Sequence, residues 1–257
     1  MPLVKPKKNL GQHFLQNEDI AQQIAESIAT KPENVLEIGP GMGVLTKYLI
    51  NHHYPHFKVV EIDRESVAYL EQHYPDLQGN IMSQDFLALN LDTLFSNNLT
   101  IIGNFPYNIS SQILFKVLDY KDLVNEVVGM FQKEVAERVA AAPGHKQYGI
   151  ISVLLQAFYD IDYLFTVDEQ QFFPPPKVKS AVIRLIRNPE KRLHCSEKLF
   201  KQVVKTAFNQ RRKTLRNSLS QYEFPAEYKQ NSIFTKRPEQ LNVQEFEEIC
   251  TNIILQF

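Results

Sequence analysis

The chain has 257 residues, enough for one large α/β domain and a small appendage, with 44% hydrophobic residues and a formal net charge of −1. No apolar run comes near the ~20 residues that a membrane span needs. Two cysteines, Cys195 and Cys250, are too few for a disulfide framework, and without CxxC, Cys/His or HExxH spacing no metal site is expected.

The amino terminus is basic, with Lys5, Lys7 and Lys8, but has no apolar signal core behind it, so the compartment expected is the cytoplasm. Gln12-His13-Phe14-Leu15 follows on this arm, and Asn17 is placed to cap a helix over Glu18–Ala29. Val35–Ile38 reads as a strand; Gly39-Pro40-Gly41-Met42-Gly43 comes next, then helical spacing over Val44–Ile50. Strand, glycine loop and helix open a nucleotide-binding βαβ unit. A dinucleotide fingerprint starting at Gly39 requires glycine at position 44, which is Val44, and one starting at Gly41 requires it at 46, which is Thr46. The pattern is Glu37-x-Gly39-x-Gly41-x-Gly43, which lets backbone approach a ligand without a pyrophosphate cradle. That favours S-adenosylmethionine over NAD.

The next strand, Phe57–Asp63, ends in carboxylates about twenty residues past the loop, where an acid takes ribose hydroxyls. Glu61 and Asp63 lie on the same side of it, and the pattern does not choose between them. A strand near Ile81–Ser83 ends at Gln84-Asp85-Phe86, where Asp85 can accept from an adenine N6 and Phe86 can pack near the ring. Leu99–Gly103 reads as a buried parallel strand closing on Asn104-Phe105-Pro106-Tyr107, at the carboxyl edge where α/β sheets bind ligands. The Asn104 amide oxygen can accept from an exocyclic amine, Pro106 stiffens the turn, and Tyr107 offers a face for a base to stack on. Together they suit an enzyme that holds a nucleobase by its amino group.

Helices are expected over Ser110–Leu118, Gln132–Ala141 and Tyr148–Phe158, and late strands over Tyr163–Val167 and Ser180–Ile186, either side of a proline turn. Asn188-Pro189 marks a boundary. Beyond it, Ser196–Asn209 and Asn242–Leu255 read as amphipathic helices, the second opened by the capping-box pattern Asn242-x-x-Glu245. The near-neutral total hides an asymmetry: Lys177–Arg216 holds thirteen basic residues against Glu190 and Glu197, a net +11. A stripe so polarised looks like a phosphate-binding surface, densest at Arg211, Arg212, Lys213 and Arg216, with Lys5, Lys7 and Lys8 as a second contact.

Six motifs occur in an order that resembles the rRNA adenine N6-dimethyltransferases: Gln12–Leu15, Glu37–Gly43, Val60–Asp63, Gln84–Phe86, Asn104–Ser110 and Phe172–Val178. The likeness covers essentially the whole chain. It is nearest to the bacterial small-subunit (16S) enzymes of kasugamycin sensitivity, and more distant from the erythromycin-resistance methyltransferases of large-subunit rRNA. Two departures are visible: His13 stands where many members carry asparagine, and Phe105 where many carry leucine.

The resemblance implies a Rossmann-like S-adenosylmethionine-dependent methyltransferase sheet with a final antiparallel hairpin over residues 1–188, and a small all-helical RNA-recognition domain over 189–257. It implies cofactor contacts from His13, Leu15, Gly39, Gly41, Glu61, Asp85 and Asn104. Catalysis is carried over to Asn104, Pro106 and Tyr107, with Tyr107 below an extruded adenine and Phe172 above it. The implied partner is 16S rRNA in the assembling small subunit, dimethylated at two adjacent adenosines of its 3′-terminal hairpin loop by a monomeric enzyme. The alternatives are a large-subunit methylase of the resistance type and a non-catalytic nucleic-acid-binding factor that keeps the fold. A DNA adenine methylase fits less well, because nothing reads Asp-Pro-Pro-Tyr.

Overall fold

A computed structural model describes residues 4–254. Its strands are β1 (Phe14–Leu15), β2 (Asn34–Ile38), β3 (His56–Glu61), β4 (Ile81–Ser83), β5 (Leu99–Asn104), β6 (Val124–Gln132), β7 (Tyr159–Val167), β8 (Phe172–Phe173) and β9 (Ser180–Arg187). Seven of them form one sheet in the order β4-β3-β2-β5-β6-β9-β7, while β1 and β8 pair as a separate two-stranded ribbon. The five from β4 to β6 are parallel, and β9 runs antiparallel to β6, the late reversal that the family resemblance implies. Strand β2 is buried at all five positions and β5 at all but Asn104. This is why β5 reads as a continuous apolar run rather than as an alternating pattern.

The helices are α1 (Glu18–Ala25), α2 (Thr46–Asn51), α3 (Arg64–His73), α4 (Ser110–Asp119), α5 (Lys133–Ala140), α6 (Ile150–Gln156), α7 (Glu197–Asn209), α8 (Leu215–Ser218) and α9 (Val243–Thr251). Asn17 caps α1 as expected, accepting from the Ile20 N–H at 3.1 Å, but the helix ends at Ala25 rather than Ala29. The reason is a buried acid far along the chain. Glu126 on β6 accepts the main-chain N–H groups of Ala29 (2.7 Å) and Thr30 (3.0 Å) and the Thr30 hydroxyl, so these donors serve a carboxylate instead of a helix. Strand β3 stops at Glu61 because Asp63 becomes the cap of α3, accepting from the Glu65 N–H. Helix α9 carries the full capping box of Asn242 and Glu245 and ends at Thr251; Leu255, expected in it, lies outside the described residues, as do Met1–Leu3 of the arm. Among the described residues no helix is long and apolar enough to cross a membrane.

The chain divides into two compact units. One runs through Ala136 and resumes over Ile161–Arg187; the other holds Glu137–Asp160 and the chain from Asn188 onward. The expected assignment of everything before 188 to the sheet domain is corrected in one segment. Helix α6 packs on α7 and α9, so its apolar face, with Val153, Leu154 and Leu155 buried, belongs to the helical core.

Phe105 shows how the sheet accommodates its own loop. Gly103 and Gly129 are register partners on β5 and β6. A side chain on either would run into the Phe105 ring, which lies in the trough the two glycines leave, edge-on to Phe131 with centroids 5.0 Å apart. We expect Gly129→Ala to cost about 1–3 kcal/mol by overpacking, measured by urea denaturation. The smaller side chain in Gly129→Ala/Phe105→Leu should recover part of that loss. Equal instability of the single and double variants would show that the trough is not what the glycine provides.

Candidate active site

Strands β2 and β5 are neighbours, yet the chain leaves β2 toward β3 on one side and comes back to β5 on the other. Ligands bind at such a switch point, beyond the carboxyl ends of the strands. An open cleft of ≈ 480 Å³ lies there, lined by Leu10–Phe14 of the arm, Gly39, Gly41, Glu61, Ile62 and Asn104–Tyr107. Of the expected site residues it brings together His13, Gly39, Gly41, Glu61, Asn104, Pro106 and Tyr107.

The glycine loop is shaped from both sides. Gly41 has φ +56°, and a Cβ there would sit 2.9 Å from the Phe14 ring, so only glycine fits under the arm. Its N–H donates to Glu61 Oε2 at 3.1 Å, and the Asp63 N–H donates to Oε1 at 2.9 Å. Burial pushes the Glu61 carboxyl up, and the N–H groups of Asp63, Gly41 and Ile62 oppose the shift. A carboxylate has about four acceptor sites, so Glu61 keeps acceptor capacity where it lines the cleft. Asp63, the other carboxylate at this strand end, is consumed elsewhere. Although burial alone would raise it, the Lys7 ammonium (2.5 Å) and the Gln12 amide (3.1 Å) hold it below the usual carboxylate range.

Glu37 lies beneath the loop, fully buried. Its Oε2 accepts from the Thr46 hydroxyl at 2.7 Å, tying the end of β2 to the first turn of α2 across the glycines. Burial pushes this carboxyl up to about 8, helped by nearby Glu61 and opposed by Thr46. Glu37 therefore holds its proton well above the ordinary carboxyl range.

Asn104 ends β5 with its amide oriented. Nδ2 donates to the His13 carbonyl at 3.0 Å, so the group it offers the cleft is the acceptor Oδ1. In the following turn the Pro106 carbonyl takes the Ile109 N–H at 3.2 Å and the Tyr107 carbonyl takes the Ser110 hydroxyl at 3.1 Å. The Tyr107 ring is stacked on the His13 imidazole, centroids 5.4 Å apart, and its hydroxyl hydrogen-bonds Ser180 Oγ.

Five expectations need correction. Leu15 and Phe172 are register partners in the β1–β8 ribbon, and both pack into the core. Phe172, only 3% exposed, is closed to a base from outside, whereas Phe173 is 58% exposed. Asp85 is exposed and caps the turn Phe86–Ala88 through the Leu87 N–H, apart from the cleft lining. Lys7 is held between Asp63 and Glu65 rather than offered to phosphate. Finally, the basic stripe is partly neutralised. At least five of its cations pair with acids outside it: Lys179 with Asp168, Arg184 with Asp162, Arg187 with Asp122, Lys191 with Asp160 and Arg211 with Glu239. Lys5, Lys8, Arg212, Lys213 and Arg216 are exposed, the last with its guanidinium on the Lys229 carbonyl at 3.3 Å.

Sequence reasoning missed Gln12, Phe14, Ile62 and Ser180. Ile62 had a signal: an apolar residue between two carboxylates at a strand end, here 51% exposed beside the cleft. Ser180 had none, since nothing local connects it with Tyr107. Among the described residues no His/Cys/Asp/Glu group could hold a metal ion.

The switch-point cleft, glycine loop and antiparallel last strand define a Rossmann-like methyltransferase fold. The model of the family described as ribosomal RNA adenine dimethylase matches residues 4–255, and the chain belongs to that family. It is 59% identical to ribosomal RNA small subunit methyltransferase A of Parabacteroides distasonis over 97% of this chain and 94% of that protein. Its fold is similar to that of a dimethyladenosine transferase from Plasmodium falciparum, with TM-score 0.74 and 25% identity over 91% and 94% of the two chains. It is also similar to that of the 23S rRNA methyltransferase ErmE, with TM-score 0.70 and 24% identity over 93% and 99%.

Glu37 makes a prediction of definite sign. Between the ordinary carboxyl range and about 8 the folded state keeps a proton that the unfolded state has lost, so stability falls as pH rises through that window. The Glu37 contribution has a limiting slope of about 1.4 kcal/mol per pH unit. Urea denaturation at pH 5.5, 6.5 and 7.5 should show Glu37→Gln with a flatter profile than the parent. Parallel profiles would mean that Glu37 is ionised in the fold.

Proposed function

We propose that this protein dimethylates N6 of two adjacent adenosines in the 3′-terminal hairpin loop of 16S rRNA. It would act as a cytoplasmic monomer, with S-adenosylmethionine as methyl donor, during assembly of the small ribosomal subunit. The observation that carries the reading is the orientation of Asn104: with Nδ2 on the His13 carbonyl, Oδ1 is turned out as an acceptor for an amine. The names of the small-subunit relatives support the choice of RNA.

The residues fit the cofactor. Glu61 keeps acceptor capacity for a ribose diol where it lines the cleft, Ile62 lies exposed beside it as an apolar surface for a purine, and Gly39 and Gly41 bring no side chain to the positions where the loop borders the cleft. When bound, S-adenosylmethionine supplies an electrophilic methyl group on a sulfonium.

The protein's own task is to make an adenine amine nucleophilic. The nitrogen lone pair is delocalised into the ring, and binding both amine hydrogens to fixed acceptors favours the pyramidal geometry of attack. Asn104 Oδ1 is one acceptor. Since the Pro106 and Tyr107 carbonyls are engaged within the turn, the Phe105 carbonyl is our choice for the other. No strong general base is then required, and orientation supplies much of the rate, of order 7–11 kcal/mol for well-placed reactants. The target leaves its stack at a cost of a few kcal/mol, and Tyr107 is the platform on which it recovers stacking. Phosphate contacts are assigned to Lys5, Lys8, Arg212, Lys213 and Arg216, which set affinity and salt dependence rather than sequence choice.

The test is transfer of labelled methyl from S-adenosylmethionine to unmodified small subunits, large subunits and free rRNAs. We expect label in small subunits as N6-dimethyladenosine at adjacent 3′-terminal positions. Asn104→Ala should lower the rate by about 100-fold or more, the scale seen when one preorganised polar group is removed, with cofactor affinity retained. Label on large-subunit RNA would move the enzyme to the resistance type. Binding of cofactor and RNA without transfer would favour a non-catalytic factor.

A further inference from the structure

We propose that Ser180 is a positioning residue for the target adenosine: it fixes the Tyr107 ring, against the His13 imidazole, as a stacking platform set before RNA arrives. The inference rests on the adenine methylation proposed above and adds a residue that acts through another.

Tyr107 is restrained at three places. Its carbonyl takes the Ser110 hydroxyl at 3.1 Å, which fixes the backbone at the start of α4. One ring face is covered by His13, at 5.4 Å and 29° between planes, and the imidazole is itself anchored by Nδ1 at 2.7 Å from the Pro174 carbonyl. The third restraint is the hydroxyl, which reaches Ser180 Oγ. Ser180 is fully buried and opens β9 opposite Gln132 of β6, so its position is set by the sheet and not by a loop. A tyrosine held only by its backbone and one stacked neighbour can still swing about χ1. Pinning the far end of the ring to the sheet removes that motion, and Tyr107 lines the cleft where a base would enter. Immobilising a side chain on binding opposes affinity, and a preorganised one avoids that cost.

The experiment is a double-mutant cycle on Tyr107→Phe and Ser180→Ala. It is read on a hairpin RNA carrying 2-aminopurine at one target position and, separately, on methyl transfer to small subunits. Each single variant should lose about three- to tenfold in kcat/KM for RNA and show weaker quenching of the bound 2-aminopurine. The double variant should be no worse than either single one, because both remove the same bond. Ser180→Thr, which keeps the hydroxyl, should restore quenching and rate. Cofactor affinity by calorimetry should stay at the parent value throughout, while the thermal midpoint falls in the single variants, each of which leaves a buried hydroxyl without its partner. Additive losses, unchanged quenching, or a parallel loss of cofactor affinity would overturn the assignment and leave the bond a structural one. If these occur while the parent protein labels small subunits, only this inference fails. If the parent labels no RNA, the function it rests on fails with it.

Discussion

Two parallel strands held in register from Asn34↔Leu99 to Glu37↔Ile102 set the terms for everything above them. Since β2 hands the chain to one side and β5 receives it from the other, no connection covers the gap between their ends. That gap is narrow. A Cβ at position 103 would lie 2.5 Å from the Ile38 carbonyl, so β5 approaches the end of β2 as only glycine allows. Asn104 and the glycine loop are thereby side by side, although they are more than sixty residues apart in the chain. Placing the Asn104 amide beside the glycine loop is a property of the topology before it is a property of any side chain.

Four buried acids in this unit show how function and stability divide. Glu126 is satisfied by two main-chain N–H groups and a hydroxyl, and closes the turn after α1. Asp63 is neutralised by Lys7 and caps α3. Glu37 is relieved by keeping its proton. Only Glu61 is stabilised by N–H donors on one side while its remaining lone pairs face an open cleft. A buried carboxylate with unused acceptor capacity invites a ligand with hydroxyls, and it is the one acid of the four that borders the cleft. The geometry thus separates Glu61 from Asp63, which lie on one side of a strand and are equivalent by pattern alone.

What the sequence displayed best were features that a few adjacent residues determine: apolar parallel strands, the spacing of Gly39, Gly41 and Gly43, the Asn17 and Asn242 caps. The misses share a different physics. Phe172 and Phe173 are neighbours, and which one faces the core depends on the register of a two-residue ribbon with β1, a pairing across more than 150 residues. The basic run from Lys177 to Arg216 was legible as charge, but its ion pairs come from acids such as Asp122, Asp168 and Glu239, brought back by the fold. Charge density along a chain measures a surface only when the partners are also local. Glu137–Asp160 failed for a related reason: helical periodicity identifies an apolar face but not the core that receives it.

The arm draws these strands of argument together. From Lys7 to Leu15 it contributes a cation and an amide to Asp63, a carbonyl to Asn104, an imidazole to Tyr107 and a ring over Gly41. One short segment therefore reaches the Glu61 end of β3, the glycine loop after β2 and the Asn104 end of β5. None of these contacts needs a catalytic side chain from the arm itself; its backbone and packing orient groups that belong to the sheet. The Asn104 amide is the clearest instance. Either of its two orientations fits a turn, and the His13 carbonyl selects the one that presents oxygen. A substitution on the arm that keeps this carbonyl in place preserves that selection.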